Sequence, residues 1–257
     1  MSEINRNQLI KYKNEIKYCS LVDFGNVIEN IIDDCHFIVE EHKRKPMHEF
    51  TGLQRLALSI LLMNHCNFRV GNLKHNKKST GLLTIETDQY APETNSISFL
   101  GKKRVLNECY LLDDNLNRQI FELWQEVDNY PANLNNKKYL FRFGGGNHRV
   151  NSDDLNDFLK IYNKEFSAKM FRTWKANLLF LDELLKLEFP NNNSQLSQNI
   201  NNSIKNVAKQ LYHTTNICRR SYLDNRIINI YRLQPELFHY NQMDSKELLI
   251  SLFKRFC

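Results

Sequence analysis

All eight glycines of this 257-residue chain fall between Gly25 and Gly146. The 111 residues that follow hold only two prolines, Pro190 and Pro235. A stretch so poor in chain breakers is constrained to be mostly helical. Upstream, SLVDFGNVIENIIDDCHFIVEEH and EFTGLQRLALSILLMNHC also carry helical periodicity. The pattern changes at Gly81. GLLTIETDQY, NSISFLG and RVLNECYLL are short, β-prone and bounded by turn residues, which predicts a small antiparallel sheet. Helix returns near Asp114 in DDNLNRQIFELWQEV, and KYLFRFGGG reads as a short strand ending in a glycine run. Ser152 with Asp153 and Asp154 reads as a helix start. A helix over 167–187 carries Phe171, Trp174, Leu178, Leu181 and Leu185 as a core stripe. FPNNNSQLSQNINN reads as a mobile polar connector, an Asn-rich loop over 190–202. Helices over 203–212, 215–231 and 235–255 finish the chain. The last of these is amphipathic and is assigned to packing. The expected class is mainly α with a small antiparallel β-sheet or hairpin (α+β).

Composition narrows the function. The chain is 42% hydrophobic and 25% charged, as expected of a soluble globular protein. Its longest apolar run, LALSILLM, is too short to cross a bilayer, and the first residues lack an apolar signal core. Six cysteines without C-x-x-C spacing argue against a standard zinc site and for reduced thiols in an intracellular compartment. The net charge of +6 is unevenly spread. Residues 201–232 hold Lys205, Lys209, Arg219, Arg220, Arg226 and Arg232 against one acid, Asp224, and residues 68–80 hold Arg69, Lys74, Lys77 and Lys78 against none. Blocks this one-sided suit a polyanionic partner.

Four segments concentrate groups able to handle a phosphate. LYHTTNICRRSYLDN brings His213 and Tyr222 within nine residues. On one continuous helix they would lie on opposite faces, about 13 Å apart along the axis. A new helix capped by Thr214 or Thr215 would allow a turn at His213 that returns the imidazole over Tyr222. Taken alone, the segment fits a surface histidine and a half-buried tyrosine better. SAKMFRTWKAN places Lys169 and Arg172 on one helix face. NFRVGN sets Arg69 where an apolar helix gives way to Gly71. SISFLGKKRV puts Lys102 at a hairpin reversal beside Gly101. Each of these also has an ordinary reading: a solvated basic stripe, a cation at a helix C-terminus, a solubilising turn lysine.

The order Arg–Lys–Arg–His–Tyr resembles the catalytic domain of type IB DNA topoisomerases, in the compact form of poxviruses, other large DNA viruses and some bacteria. FRVGN, GLLTI, ISFLGKKRV, AKMFRTW and HTTNICRRSYL carry the likeness in register, over about residues 60–230. The resemblance implies Tyr222 as nucleophile, with Arg69, Arg172 and His213 on the non-bridging oxygens of the scissile phosphate. Lys102 would protonate the departing 5′-oxygen, supported by Lys169; family register alone separates Lys102 from Lys103 in this role. Lys74, Lys77, Lys103, Lys175, Arg219 and Arg220 are candidate DNA contacts. The expected activity is relaxation of supercoiled DNA through a 3′-phosphotyrosyl intermediate, followed by religation. A free phenol has a pKa of about 10, so the nucleophile needs cations beside it. Preorganised donors at the phosphate are worth about 10²–10³ each in rate, and a general acid for a poor leaving group about 10²–10⁴. Such a site uses no metal, ATP or other cofactor.

A tyrosine recombinase shares this nucleophile, but usually carries H-x-x-R where this chain has Lys169-Met170-Phe171-Arg172. A non-catalytic basic DNA-binding module would explain the charge and not the ordered set. The expected partner is double-stranded DNA, met by a monomer away from any membrane. The expected compartment is intracellular, a viral factory, virion or nucleus, which the sequence itself does not determine. Residues 1–20 read as an N-terminal extension or residual linker and 21–257 as one catalytic domain. Compact relatives usually carry an N-terminal β-rich clamp domain before the catalytic one; with only residues 1–20 ahead of it here, the chain reads either as a catalytic fragment or as a naturally short form. Asn72 and His75 depart from the residues more usual in poxvirus members. A poxvirus-like site preference is therefore not expected.

Overall fold

Residue 20 falls inside a helix: α1 runs from Glu3 to Glu40. The computed structural model describes residues 3–41, 50–71, 79–129, 138–143, 148–239 and 243–254. Lys74, Lys77, Asn72, His75 and the glycine run at 144–146 lie outside the described residues. The stretch 21–257 is divided between two compact units. A central unit holds Glu29–Phe171, and a terminal unit holds Met1–Ile28 with Arg172–Cys257.

The central unit is built around α2 (Gly52–Cys66). Thr51 and Gln54 close a capping box at its start, and Asn67 ends it in the left-handed conformation at φ 55°. Almost every side chain from Gln54 to Met63 is buried, as expected of a helix apolar on all sides. Each buried leucine or isoleucine there contributes about 1.5–3 kcal/mol. One charge is taken inside with them. Arg55 is fully buried and pairs with Glu126 of α3 (Asp114–Asp128), while its Nε donates to the Phe50 carbonyl at 3.0 Å.

Three antiparallel strands, β1 (Tyr90–Ala91), β2 (Ser96–Leu100) and β3 (Leu106–Tyr110), stand in the order β1-β2-β3. The register pairs Ile97 with Cys109 and Phe99 with Asn107. The predicted sheet is therefore present, but most of GLLTIETDQY is not strand. Leu82–Thr84 and Thr87–Gln89 form 3₁₀ turns instead. The cause is local: Thr84 Oγ1 accepts from the Gly81 N–H and donates to the Gly81 carbonyl, both at 2.8 Å, and so closes the chain on itself. β4 (Arg142–Phe143), β5 (His148–Arg149) and α4 (Ser152–Lys160) complete this unit.

The terminal unit is helical among its described residues. It contains α5 (Lys169–Leu185) from Arg172 onward, α6 (Asn193–Gln210), α7 (Thr215–Ser221), α8 (Asn225–Leu233), α9 (Glu236–His239) and α10 (Ser245–Lys254). Gly25 of α1 meets the Trp174 ring so closely that a Cβ would lie 2.2 Å from it. Two expectations are corrected here. The Asn-rich stretch is helix from Asn193, because Asn192 caps it and Ile200, Ile204 and Val207 form a buried stripe. The expected helix over 215–231 is broken at Tyr222–Asp224. On α5, Phe171, Trp174 and Leu181 of the expected stripe are buried, Leu178 and Leu185 are half-buried, and Thr173, Asn177, Phe180 and Leu184 are buried as well.

Candidate active site

The turn between α6 and α7 decides where His213 goes. Leu211 caps α6, the Tyr212 N–H bonds the Lys209 carbonyl at 3.1 Å, and the His213 N–H bonds the Ala208 carbonyl at 2.8 Å. These are the paired bonds of a Schellman turn, whose left-handed position is usually glycine. Here that position is Tyr212, at φ 54°. Thr214 then caps α7, its Oγ1 accepting from the Ile217 N–H at 3.4 Å.

Helix α7 lasts two turns. Tyr222 and Leu223 both return their N–H to the Cys218 carbonyl, and Asp224 opens α8 by accepting from the Arg226 N–H at 2.9 Å. The short helix folds the chain back. The Tyr222 ring stacks on the His213 ring with centroids 4.6 Å apart and planes 23° apart. Arg172, 6% exposed, comes from α5 to meet both. Its guanidinium lies 5.6 Å from the Tyr222 ring centre and 2.7 Å from His213 Nε2, and it also donates to the Leu211 carbonyl. A guanidinium can only donate, so His213 Nε2 is the acceptor in this arrangement. Burial pushes the Cys218 thiol up to about 11, against the lowering effect of the Arg172 cation.

No signal in the sequence marks Asn177 for a role. It is fully buried. Its Nδ2 donates to the Tyr222 carbonyl at 2.9 Å and to Thr173 at 2.8 Å, and its Oδ1 accepts from the Asp224 N–H at 2.9 Å. One carboxamide therefore grips the main chain on both sides of the break that presents Tyr222.

Arg69 and Lys102 belong to the central unit. Phe68 packs edge-on against Phe99 of β2 at 4.9 Å, which ties the Arg69 segment to the hairpin carrying Lys102. The carbonyls of Arg69 and Val70 accept from the N–H groups of Leu82 and Leu83 at 2.7 and 2.8 Å. Gly81 makes this approach feasible, since a Cβ there would lie 2.4 Å from the Arg69 carbonyl oxygen. Lys102 is exposed at the turn, beside exposed Lys103 at φ 61°. Lys169 is exposed at the first residue of α5, Lys175 is half-buried on the same helix, and Arg219 and Arg220 lie on α7. The structure thus brings together Arg172, His213 and Tyr222 in one unit, and links the backbones of Arg69 and Lys102 in the other. Among the described residues no group of three or more His, Cys, Asp or Glu side chains could hold a metal ion, and no helix is long and apolar enough to cross a membrane.

Residues 6–246 match the family described as eukaryotic DNA topoisomerase I, catalytic core. Over 114 residues the chain is 36% identical to a protein named DNA topoisomerase 1B from Acanthamoeba polyphaga mimivirus. That match covers 42% of this chain and 34% of the mimivirus protein, so the chain spans about a third of that relative's length.

Proposed function

Because the chain belongs to the eukaryotic DNA topoisomerase I catalytic-core family, we propose that it relaxes supercoiled double-stranded DNA by a type IB reaction, acting as a monomer. The observation that supports this most is the packing of Arg172 and His213 against the Tyr222 ring. In the proposed reaction the Tyr222 phenol gives its proton to water and Oη attacks a backbone phosphorus. The bond to the 5′-oxygen breaks, and Lys102 gives that oxygen its proton. The strand end is left as a 3′-phosphotyrosyl ester while the duplex unwinds. The 5′-hydroxyl then attacks the ester, returns its proton to Lys102 and releases Tyr222 as a phenolate, which takes a proton from water. The ester conserves the bond energy, so religation needs no ATP.

Arg69, Arg172 and His213 are assigned to the non-bridging oxygens, with Lys169 supporting Lys102. A phosphate oxygen would draw the Arg172 guanidinium from His213 Nε2, freeing that nitrogen to carry a proton toward the second oxygen. Charge gathers there as the five-coordinate phosphorus forms, and donors fixed in advance are most effective against such charge. Lys74, Lys77, Lys103, Lys175, Arg219 and Arg220 are proposed to grip flanking phosphates. Their contribution should fall as salt rises.

The experiment is relaxation of supercoiled plasmid in EDTA without ATP, with Tyr222→Phe in parallel. Wild-type protein is expected to relax the plasmid and to leave a covalent protein–DNA adduct when denatured in mid-reaction. Tyr222→Phe is expected to do neither. A requirement for magnesium or ATP, or an adduct formed by Tyr222→Phe, would end this reading.

A further inference from the structure

We propose that Asn107 is a positioning residue: its carboxamide holds the turn that presents Lys102, and so sets how well that lysine delivers a proton to the 5′-oxygen. The inference rests on the strand-transfer reaction above, which gives Lys102 the acid role and Asn107 none. Asn107 lies on β3 opposite Phe99 of β2 and is 5% exposed. Residues 102–106, which precede it, are all exposed. A buried amide at the root of an exposed turn needs a partner. Here the partner is the main chain of the turn itself. Asn107 Nδ2 donates to the Val105 carbonyl at 2.8 Å. The Gly101 N–H donates to the same oxygen, also at 2.8 Å. One carbonyl therefore joins the start of the turn, its end and the buried side chain of β3.

The conformation of the turn calls for such a tie. The Arg104 N–H reaches back to the Gly101 carbonyl at 3.1 Å, and Lys103 and Arg104 stand at φ 61° and 59°. Left-handed positions in hairpin turns usually go to Gly, Asn or Asp. Lysine and arginine are strained there. Without the carboxamide that strain can relax by turning the segment, and Lys102 turns with it. Gly101 shows how closely the carboxamide is fitted. Its φ is −80°, which any residue adopts, so the backbone does not require a glycine. Space does: a Cβ at position 101 would lie 2.3 Å from Asn107 Nδ2. A methyl group there would push the carboxamide off the Val105 carbonyl. Lys102 is the next residue along the chain.

The test turns on the leaving group. A thiol has a pKa of about 8.5, so a 5′-thiolate departs without an acid, whereas a 5′-alkoxide does not. The full chain is first run on a plain duplex to find the phosphate it cleaves most. A second duplex then carries sulfur in place of the bridging 5′-oxygen at that phosphate. On it the Tyr222 phenol gives its proton to water and Oη attacks phosphorus. The P–S bond breaks, its electron pair goes to sulfur, and the thiolate leaves with no proton from Lys102.

Adduct formation in single turnover is measured on both duplexes for wild type, Lys102→Ala, Asn107→Ala and Gly101→Ala. On the plain duplex Lys102→Ala should be slowed about 10²–10⁴-fold. Asn107→Ala and Gly101→Ala should each be slowed about 10–10²-fold. On the sulfur duplex all three should react at the wild-type rate. Adding Gly101→Ala to Asn107→Ala should slow the reaction no further, because the two changes act through one contact. Asn107→Ala that reacts like wild type on the plain duplex overturns the positioning role. So does equal slowing on both duplexes, which is what a misfolded protein would give. If sulfur fails to restore Lys102→Ala, the acid assigned above falls, and the role of Asn107 falls with it. A wild-type protein that forms no adduct on either duplex overturns the proposed function itself.

Discussion

Replacing Asn177 by alanine tests whether the nucleophile is set by its own helix or by a neighbour. Asn177 is fully buried and holds the Tyr222 carbonyl and the Asp224 N–H, 45 and 47 residues away along the chain. Alanine leaves both main-chain groups without that partner. A buried polar group stripped of its partner costs about 1–3 kcal/mol. Asp224 is 1% exposed, which puts its N–H near the upper end, whereas Tyr222 is half-exposed and water can reach its carbonyl. The expected loss is therefore about 2–5 kcal/mol, read as a lower midpoint in urea unfolding. The chemical effect should be separable from it. With its main chain released, the Tyr222 ring can shift on His213, and about an ångström of misplacement costs about 10²-fold in rate. Adduct formation under single-turnover conditions, at a temperature where circular dichroism shows the variant folded, should fall by about that factor. An alanine variant that is as stable as wild type and forms adduct at the same rate would show that the clamp does not position Tyr222.

Three further outcomes follow from the central unit. Gly81→Ala should push the Arg69 main chain away from a Cβ that would sit 2.4 Å from its carbonyl, and adduct formation should drop about tenfold or more with the fold retained; an unchanged rate refutes the role given to this contact. Glu126→Ala leaves the Arg55 cation buried without its acid and should cost about 3–5 kcal/mol in urea unfolding. Pairing it with Arg55→Met should recover most of that loss. The Cys109 thiol is held low, first by Cys66. Its alkylation by iodoacetamide should therefore persist to lower pH than that of an ordinary thiol, because the reactive thiolate survives as pH falls until the depressed pKa is passed. Cys66→Ala should move that profile up in pH. An alkylation profile at the ordinary thiol position in wild type would refute the assignment.

Helices α2 and α3 and the β2–β3 hairpin were legible because their reasons are local: apolar periodicity, a cap, a glycine at a reversal. The 3₁₀ turns over 82–89 were not, because LLTI has the composition of a strand. Its shape comes from Thr84 bonding back to Gly81 and from the carbonyls of Arg69 and Val70. The start of α6 was hidden by a run of asparagines, which are poor helix formers in isolation. Burial of Ile200, Ile204 and Val207 outweighs that preference, which is only tenths of a kcal/mol per residue. The buried face of α5 was legible only in part, because an apolar stripe gives no sign that Asn177 is buried too. Its hydrogen bonds to main chain remove the usual cost of burying an amide.

The candidate site was legible as a set of residue types in order, and not as a geometry. Between Thr215 and Tyr231 no glycine or proline announces a helix break. The break at Tyr222 is imposed by a side chain on another helix. The turn at Tyr212 likewise lacks the glycine that would have signalled it, and carries a tyrosine at positive φ instead. A bulky residue there costs about 1–2 kcal/mol. It persists because Arg172 binds the Leu211 carbonyl and His213 stacks on Tyr222. Local rules therefore fail at the two points that aim the imidazole and the phenol at one another. Such failures are expected where a chain holds strain for function. In each case the force that overrides local preference comes from α5, so the helix that supplies the guanidinium also fixes the two groups it serves.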